Sequence, residues 1–230
     1  MKISTFNIQN DYGKYDKRKS KQIYNYLKSN KIDILGLQEV FSKCSDDLIN
    51  YLGNNYKMIG KYRFFSKFLL RRFNEKNPIV TNYKIISFKT YHLPFFPSIL
   101  KRVLTHVVIE YKGKEISIYN THLEVRNLNV KRRQLNKIYS ILKGDSREKI
   151  LMGDFNLKTN KPLFLDFIES LEEIGMVRVP LDEKTLKQSR YSREIDHIFI
   201  SNGFKLMNKQ VIKDLNISDH YPVIVELEVE

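Results

Sequence analysis

Short apolar runs, many of them rich in β-branched residues, recur along the whole chain and predict a strand-rich fold. The predicted strands are 2–7, 33–39, 56–60, 78–83, 85–92, 103–111, 114–120, 149–154, 195–201, 205–212 and 222–229. Apolar residues at helical spacing predict helices over 17–29, 45–52, 129–142 and 162–174. Strands outnumber helices by more than two to one, and neighbouring strands often lie too close in sequence for a helical crossover. This pattern favours mixed or antiparallel sheets with helices packed outside them.

Six polar clusters stand at or just past the ends of these apolar runs. They are Thr5-Phe6-Asn7, Leu37-Gln38-Glu39, Asn120-Thr121-His122, Gly153-Asp154-Phe155-Asn156, Ile195-Asp196-His197 and Ser218-Asp219-His220. A polar side chain that ends an apolar strand usually lies at the rim of a sheet. Each cluster alone is a weak signal, but six of them could converge on one pocket lined by oxygen and imidazole groups. Such a pocket suits a hard divalent cation and a phosphoryl group.

The carboxylates and amides of these clusters have distinct expected roles. Glu39 is a natural ligand for Mg²⁺, which prefers few protein oxygens, and Asn7 can donate to a phosphate oxygen or orient that ligand. Asp154 and Asn156 are expected on one side of an extended segment, with Phe155 turned inward. An acceptor beside an amide donor can hold a water molecule on one side and a phosphoryl oxygen on the other.

The histidine clusters point to proton transfer or phosphate binding. Asp219 and His220 pair a carboxylate with an imidazole, which suits a charge-assisted bond to phosphate near neutral pH. Asp196 can fix the tautomer of a histidine. His197 follows Asp196 directly in a strand and is therefore expected to face the opposite way.

Composition narrows the class of protein. A chain of 230 residues with 42% apolar residues can bury a full core, and no linker or repeat interrupts it, so one domain over residues 1–230 is expected. The first strand follows Met1 directly and no run is long enough to span a membrane, which leads us to expect a cytoplasmic protein. The single Cys44 excludes an internal disulfide bond and makes a zinc or iron–sulfur site improbable.

The charge balance favours a polyanionic partner. The net charge is +14, from 40 basic and 26 acidic residues, although lysines on the surface also simply keep a protein soluble. Segment 61–76 interleaves cations with aromatic residues, and 93–101 forms an apolar loop bounded by prolines. Both segments could bind nucleic acid or a lipid interface, while an amphipathic helix packed on the core is the alternative for 61–76.

Taken in order, the six clusters resemble the endonuclease/exonuclease/phosphatase family, the magnesium-dependent fold shared by deoxyribonuclease I, exonuclease III, neutral sphingomyelinases and inositol-polyphosphate 5-phosphatases. The resemblance spans nearly the whole chain, from Phe6-Asn7-Ile8 to Ser218-Asp219-His220-Tyr221-Pro222. It implies an α/β fold that is a four-layer sandwich: two packed, mostly antiparallel mixed β-sheets flanked by helices, with the site at one edge.

The resemblance also implies roles for individual residues. Glu39 would bind the catalytic Mg²⁺, for which Mn²⁺ could substitute, with Asn7 beside it and Asp219 as a further possible metal ligand. Asp154 would activate or orient the attacking water, and Asn156 would help to hold the phosphate.

The two histidines of the motifs complete the implied site. His122 and His220 would contact phosphoryl oxygens, with Asp196 and Asp219 setting their orientation and charge. Arg102, and the Arg71 and Arg72 pair of the cation–aromatic segment, are weaker candidates for substrate binding. The implied reaction is in-line hydrolysis of a phosphoester.

Departures from particular branches of the family bear on the substrate. The chain has no Trp and carries Asn120-Thr121-His122-Leu123, which is more similar to the phosphatase, sphingomyelinase and general-nuclease branches than to abasic-site endonucleases. We therefore expect a hydrolase, foremost a nuclease or phosphodiesterase acting on nucleic acid, with no obligate protein partner. A lipid or small-molecule phosphoesterase, bound to an anionic membrane surface in the lipid case, is the alternative, and a non-catalytic binding module is a third.

Overall fold

A computed structural model describes residues 1–9, 16–63, 74–187 and 193–229. Its strands are Lys2–Asn7 (β1), Ile34–Gln38 (β2), Val40–Phe41 (β3), Lys57–Ile59 (β4), Glu75–Lys76 (β5), Ile79–Thr81 (β6), Lys84–His92 (β7), Val103–Tyr111 (β8), Lys114–His122 (β9), Glu148–Asp154 (β10), Met176–Arg178 (β11), Asp196–Ser201 (β12), Phe204–Val211 (β13) and Val223–Val229 (β14). Its helices are Lys17–Ser29 (α1), Ser42–Leu52 (α2), Leu128–Lys143 (α3) and Pro162–Glu172 (α4).

Two six-stranded sheets form the centre of the molecule. The strand orders are β13-β14-β1-β2-β6-β4 and β11-β12-β10-β9-β8-β7. Each sheet contains one parallel pair, β1 with β2 and β9 with β10, and all its other pairs are antiparallel. A parallel pair needs a crossover, which α1 supplies in the first sheet and α3 in the second.

Three apolar clusters separate four layers. The inner cluster joins the facing sides of the two sheets, with Ile3 and Ile34 from one sheet and Ile118 and Ile150 from the other. A second cluster packs α1 and α2 on the outer face of the first sheet, and a third packs α3 and α4 on the second. Central strands are therefore buried on both faces, which explains why they are nearly continuous apolar runs in the sequence. The predicted four-layer sandwich is confirmed.

The eleven predicted strands and four predicted helices all occur, with boundaries shifted by at most three residues. The short strands β3, β5 and β11 were not predicted, because two or three residues cannot display an alternating pattern. The first turn of α2, from Ser42, is polar in sequence and was placed outside the helix. Arg71 and Arg72, with most of the cation–aromatic segment, lie outside the described residues. Among the helices of the described ranges, none is both long and apolar enough to cross a bilayer.

Gly153 allows β9 and β10 to approach closely just before the motif residues at their ends. Its φ is 146°, and a Cβ atom there would lie 2.0 Å from the carbonyl oxygen of Thr121. We expect Gly153→Ala to lower the free energy of unfolding by about 2–4 kcal/mol, measured by urea denaturation, because both the backbone conformation and the strand contact are disturbed.

Gly113→Ala is the matched control for this prediction. Gly113 also has a positive φ, of 78°, but a Cβ atom there would meet nothing within 4 Å. Gly113→Ala should lower the free energy of unfolding by about 1–2 kcal/mol, because it introduces only backbone strain. An equal decrease in the free energy of unfolding in the two variants would show that the contact with Thr121 does not contribute to the effect of Gly153→Ala.

Candidate active site

The two parallel strand pairs bring four motif residues to one edge of the sandwich. Asn7 is in register with Gln38 at the end of β1 and β2, and His122 is in register with Asp154 at the end of β9 and β10. Asp154 also faces Asp196 at the start of the antiparallel β12. Because parallel strands end on the same side, this topology gathers side chains from distant parts of the sequence.

Asn7 joins the two sheets at this edge. Its Nδ2 donates to Asp154 Oδ2 at 2.9 Å and to Glu39 Oε1 at 3.3 Å, so one amide holds carboxylates of both sheets. Asp154 is 1% exposed, whereas the side chain of Glu39 is 26% exposed. Glu39 has a φ of 60°, a conformation that non-glycine residues adopt rarely.

His220 lies near Asp154 and is paired with Asp196. Its Nδ1 donates to Asp196 Oδ2 at 2.8 Å, which directs Nε2 to within 3.8 Å of Asp154 Oδ2. Burial lowers the pKa of His220, but the charge and hydrogen bond of Asp196, with the charges of Asp154 and Asp219, raise it to about 10. His220 is therefore an imidazolium at neutral pH.

His122 also lies near Asp154, but it is neutral. Arg102 Nη1, which can only donate, contacts His122 Nδ1 at 2.9 Å, so the ring carries its proton on Nε2. That Nε2 is 3.5 Å from Asp154 Oδ2. Burial and the charges of Arg102 and Arg63 hold the pKa of His122 well below its usual value. A neutral histidine and a charged one thus lie near the same carboxylate oxygen.

Burial and the charge of Asp196 raise the pKa of Asp154 to about 6. The nearby imidazolium of His220 and the hydrogen bond from Asn7 oppose that rise. The carboxylate is therefore ionised at neutral pH but more basic than an exposed aspartate. This is the range in which a carboxylate can both hold a water molecule and accept its proton.

A buried ion-pair network that the sequence did not predict supports His122. Glu75 Oε1 lies 3.4 Å from Arg102 Nη1 and is also paired with Arg63. All three side chains are less than 10% exposed, and burial lowers the pKa of both arginines. Arg63 and Glu75 both lie in segment 61–76, which stood out for its cations and aromatic residues, but neither ends a recognisable apolar strand, so neither was placed at the site. Arg102 itself was predicted near the site, and it lies there.

Asn156 does not continue the strand as expected. Its φ is 51°, so the prediction of an extended Asp154-Phe155-Asn156 segment was wrong. The backbone N–H of Asn156 donates to Asp154 Oδ1 at 2.9 Å, and its side chain donates to the carbonyl of Leu123 at 3.2 Å. A turn at this position lets the chain hydrogen-bond the Asp154 carboxylate, which a straight strand would not allow. Phe155 is buried as predicted.

Lys131, in the first turn of α3, is a second residue that the sequence did not reveal. It is 2% exposed, and its Nζ donates to the carbonyls of Asn156 at 2.7 Å and Val125 at 3.3 Å. Burial lowers its pKa to about 8, although Asp154 and Glu124 oppose that shift. Lys131 therefore ties together the two segments that follow His122 and Asp154.

Asp219 lies in a pocket next to His220, and His197 points to the outer side of its sheet. The carboxylate of Asp219 is 3.4 Å from Ser218 Oγ, and Asp219 lines a polar pocket of about 460 Å³ together with Gln9. The charge of Asp219 contributes to raising the pKa of His220. Its place among the metal ligands stays a prediction. His197 Nε2 donates to the carbonyl of Leu157 on the outer side of the sheet, as expected.

Two sets of side chains could hold a cation. Asp154, Asp196 and His220 offer ligand atoms within 4.8 Å of one another, but they are buried, and His220 Nδ1 already donates to Asp196 Oδ2 at 2.8 Å. The carboxylate of Glu39 instead offers two oxygen donors at the solvent side of the site, and the Asn7 amide beside it holds one of them through Nδ2. Oxygen donors with room for water fit Mg²⁺, so this second set is the better match.

The chain belongs to the endonuclease/exonuclease/phosphatase family, whose sequence profile matches residues 4–220. Members of this family are hydrolases that act on phosphoester bonds and generally use divalent metals. No curated protein matches the sequence.

Solved structures share the fold across their full length. A Bacteroides thetaiotaomicron mannosyl-6-phosphatase has a TM-score of 0.81 at 19% identity, covering 99% of each chain. Danio rerio TDP2, complexed with single strand DNA product, has a TM-score of 0.80 at 15% identity over 100% of this chain and 99% of its own. The human Nocturnin catalytic domain, with bound sulfate, has a TM-score of 0.79 at 18% identity over 100% and 93%. At such low identity these neighbours establish the fold alone.

The protonation state of His220 depends on Asp196 and is directly testable. We expect Asp196→Asn to lower the pKa of His220 well below 10, because burial then acts without the strongest opposing charge. Asp219→Asn should lower the pKa of His220 less, since Asp219 contributes least among the acidic groups that raise it. The measurement is an NMR titration of the histidine ring nitrogens.

The same shift predicts how stability depends on pH. Because folding raises the pKa of His220, its contribution to stability is complete below about pH 6.5 and is lost as the pH rises through about 10. Asp196→Asn should reduce that loss, as seen in denaturation curves between pH 8 and 10.5. An unchanged pKa in Asp196→Asn would contradict the pairing.

Proposed function

We propose that this protein is a Mg²⁺-dependent phosphodiesterase. The observation that supports this most is that Asp154 Oδ2 lies near the Nε2 atoms of both His122 and His220, at 3.5 Å and 3.8 Å. A base with a neutral and a charged donor near it suits attack of water on a phosphoryl group whose oxygens gain negative charge.

Each residue has one role in this proposal. Asp154, held by Asn7, orients a water molecule and accepts its proton as the water oxygen bonds to phosphorus. His220 and His122 donate from Nε2 to the phosphoryl oxygens, and the bond from phosphorus to the leaving oxygen breaks in line with the attack. The leaving oxygen takes up a proton from solvent, and Asp154 returns its proton to solvent, so that a phosphodiester and one water give an alcohol and a phosphate monoester.

Glu39 and Asn7 would hold the metal at the solvent side of the site. Mg²⁺ bound there would neutralise charge on the phosphoryl group and on the leaving oxygen. Asn156, through the hydrogen bond from its backbone to Asp154, keeps the base in place, and its side chain remains our candidate for a contact with phosphate.

Nucleic acid is the substrate that we place first. The net charge of +14 favours a polyanion, and a fold neighbour was solved with single strand DNA product. A lipid or small-molecule phosphoester is the second candidate. Two apolar side chains favour the lipid: Phe96 and Ile99 are 75% and 88% exposed on the loop that leads to Arg102. A small-molecule substrate is supported by another fold neighbour, which is a mannosyl-6-phosphatase.

The activity test is a panel of single- and double-stranded DNA, RNA, lipid phosphodiesters and sugar phosphates, assayed with Mg²⁺ and with chelator. Asp154→Asn and His220→Gln should each lower kcat by roughly 10²–10⁴-fold on the substrate that is cleaved. Asp182→Asn, which removes an exposed carboxylate paired with Lys209, is the matched control and should leave kcat unchanged. Turnover that survives both site variants would refute the proposal.

Metal binding has its own test. Glu39→Gln should weaken Mg²⁺ binding at least tenfold in calorimetry, because a carboxylate ligand becomes a neutral amide. Glu228→Gln, at the far end of β14, is the control. Equal affinity in Glu39→Gln and the unmodified protein would place the metal elsewhere, while leaving the roles of Asp154 and His220 open to the activity test.

A further inference from the structure

Five exposed apolar side chains form a surface that the proposed reaction does not use. They come from the loop between β7 and β8, from the segment between β9 and α3, and from the first residue of α3. We call them the apolar rim: Phe95, Phe96, Ile99, Val125 and Leu128. Their exposed fractions run from 37% to 88%. The other seven large apolar residues that are similarly exposed within the described ranges are spread over five elements, so the rim is a local concentration.

The rim is anchored to the walls of the active site. The loop is closed at its base by a hydrogen bond from Leu93 N–H to the carbonyl of Arg102, whose guanidinium contacts His122. Gln134 of α3 connects the two segments, because its Nε2 donates to the carbonyl of Pro94 and its Oε1 accepts from the N–H of Glu124. The apolar side chains are therefore held beside the catalytic groups by buried hydrogen bonds.

Cations border the rim. Lys101 Nζ lies 5.4 Å from the centre of the Phe95 ring, and Arg133 donates to the carbonyl of Phe96. Lys137 joins them around a pocket of about 640 Å³ between the loop and α3. The carboxylate nearest to the rim, Glu124, is 8% exposed and accepts hydrogen bonds from the backbone, so it does not offset these charges at the surface.

We propose that the apolar rim docks this protein onto an anionic phospholipid surface. Three of its five side chains are aliphatic, and the most exposed is Ile99. Nucleobases stack on aromatic rings or guanidinium planes, whereas the boundary between lipid head groups and acyl chains accepts aliphatic and aromatic side chains alike. Cations beside the apolar side chains match the negative potential of such a surface.

Docking in this way places the active site beside the lipid head groups. The surface does not depend on the proposed activity, because binding needs only the rim and its cations. If the enzyme cleaves a lipid phosphoester, the same contact presents its substrate. If it cleaves a soluble substrate, docking determines where in the cell the reaction occurs.

The lack of tryptophan in the chain makes a direct test possible. Phe96→Trp places a single fluorophore on the rim, and Met207→Trp, at a 55% exposed position in β13, is the matched control. With chelator present to prevent turnover, vesicles of phosphatidylglycerol and phosphatidylcholine should shift the emission of Phe96→Trp to shorter wavelength. Brominated lipids should quench it. Met207→Trp should show neither effect.

A second pair of variants tests the apolar contribution. Ile99→Ser with Leu128→Ser should lower partitioning onto anionic vesicles at least tenfold in a sedimentation assay, because both side chains would enter the interface. Ile49→Ser with Met207→Ser, at positions 47% and 55% exposed, should leave it unchanged. Circular dichroism checks that all variants are folded, and vesicles of phosphatidylcholine alone should bind more weakly.

Two results would overturn the proposal. One is an emission of Phe96→Trp that does not respond to anionic vesicles. The other is a response to a single-stranded oligonucleotide that vesicles do not reproduce, which would make the rim a base-stacking surface. Either result leaves the kinetic tests of Asp154 and His220 unaffected, so the two proposals fail separately.

Discussion

The active site depends on buried amide hydrogen bonds that join the two sheets. Asn7 of the first sheet donates to Asp154 of the second at 2.9 Å, and deeper in the interface Gln38 donates to Asn120 at 2.7 Å. Asn120 also donates to the carbonyls of Leu37 and Pro78. Apolar packing is not directional and would tolerate a small slide of one sheet over the other. A buried amide left without a partner is costly, about 1–3 kcal/mol, so these bonds select one relative position of the sheets.

That fixed position makes the dense burial of charge at the site possible. Asp154, Asp196 and His220 are each less than 10% exposed, as are Arg102 and Glu75. An isolated charge at such depth would become neutral, whereas here each one meets an opposite charge or a donor within about 4 Å. This pairing of opposite charges has a chemical consequence. Asp196 keeps His220 charged, and Arg102 keeps His122 neutral. The two histidines near Asp154 therefore differ in charge, although both present an Nε2–H group.

The site residues at the strand ends could be recognised from the sequence, because the topology brings the ends of buried strands to one edge of the sandwich. Asn7, Glu39, His122 and Asp154 each end a buried run, and a parallel pair carries such ends to the same edge. Glu75 and Lys131 could not be recognised in this way, since a two-residue strand has no pattern and a lysine in a helix is ordinarily read as solvated. One signal was available for Lys131. It stands four residues before Leu135 and seven before Ile138, on the apolar face of α3, where a charge is unusual.

In this fold the motif residues at the strand ends are constrained, whereas the side chains of the neighbouring loops can vary. The motif residues occupy the ends of central strands, where a change would disturb hydrogen bonds between the sheets as well as the chemistry. The loop from Pro94 to Lys101 and the segment from Glu124 to Leu128 attach to the same edge through a few contacts of their backbone, chiefly with Gln134 and Arg102. Their side chains can therefore change without moving Asp154 or His122. For this reason the class of reaction can be argued from the strand ends, while the surface that selects the substrate or the membrane must be argued from the loops.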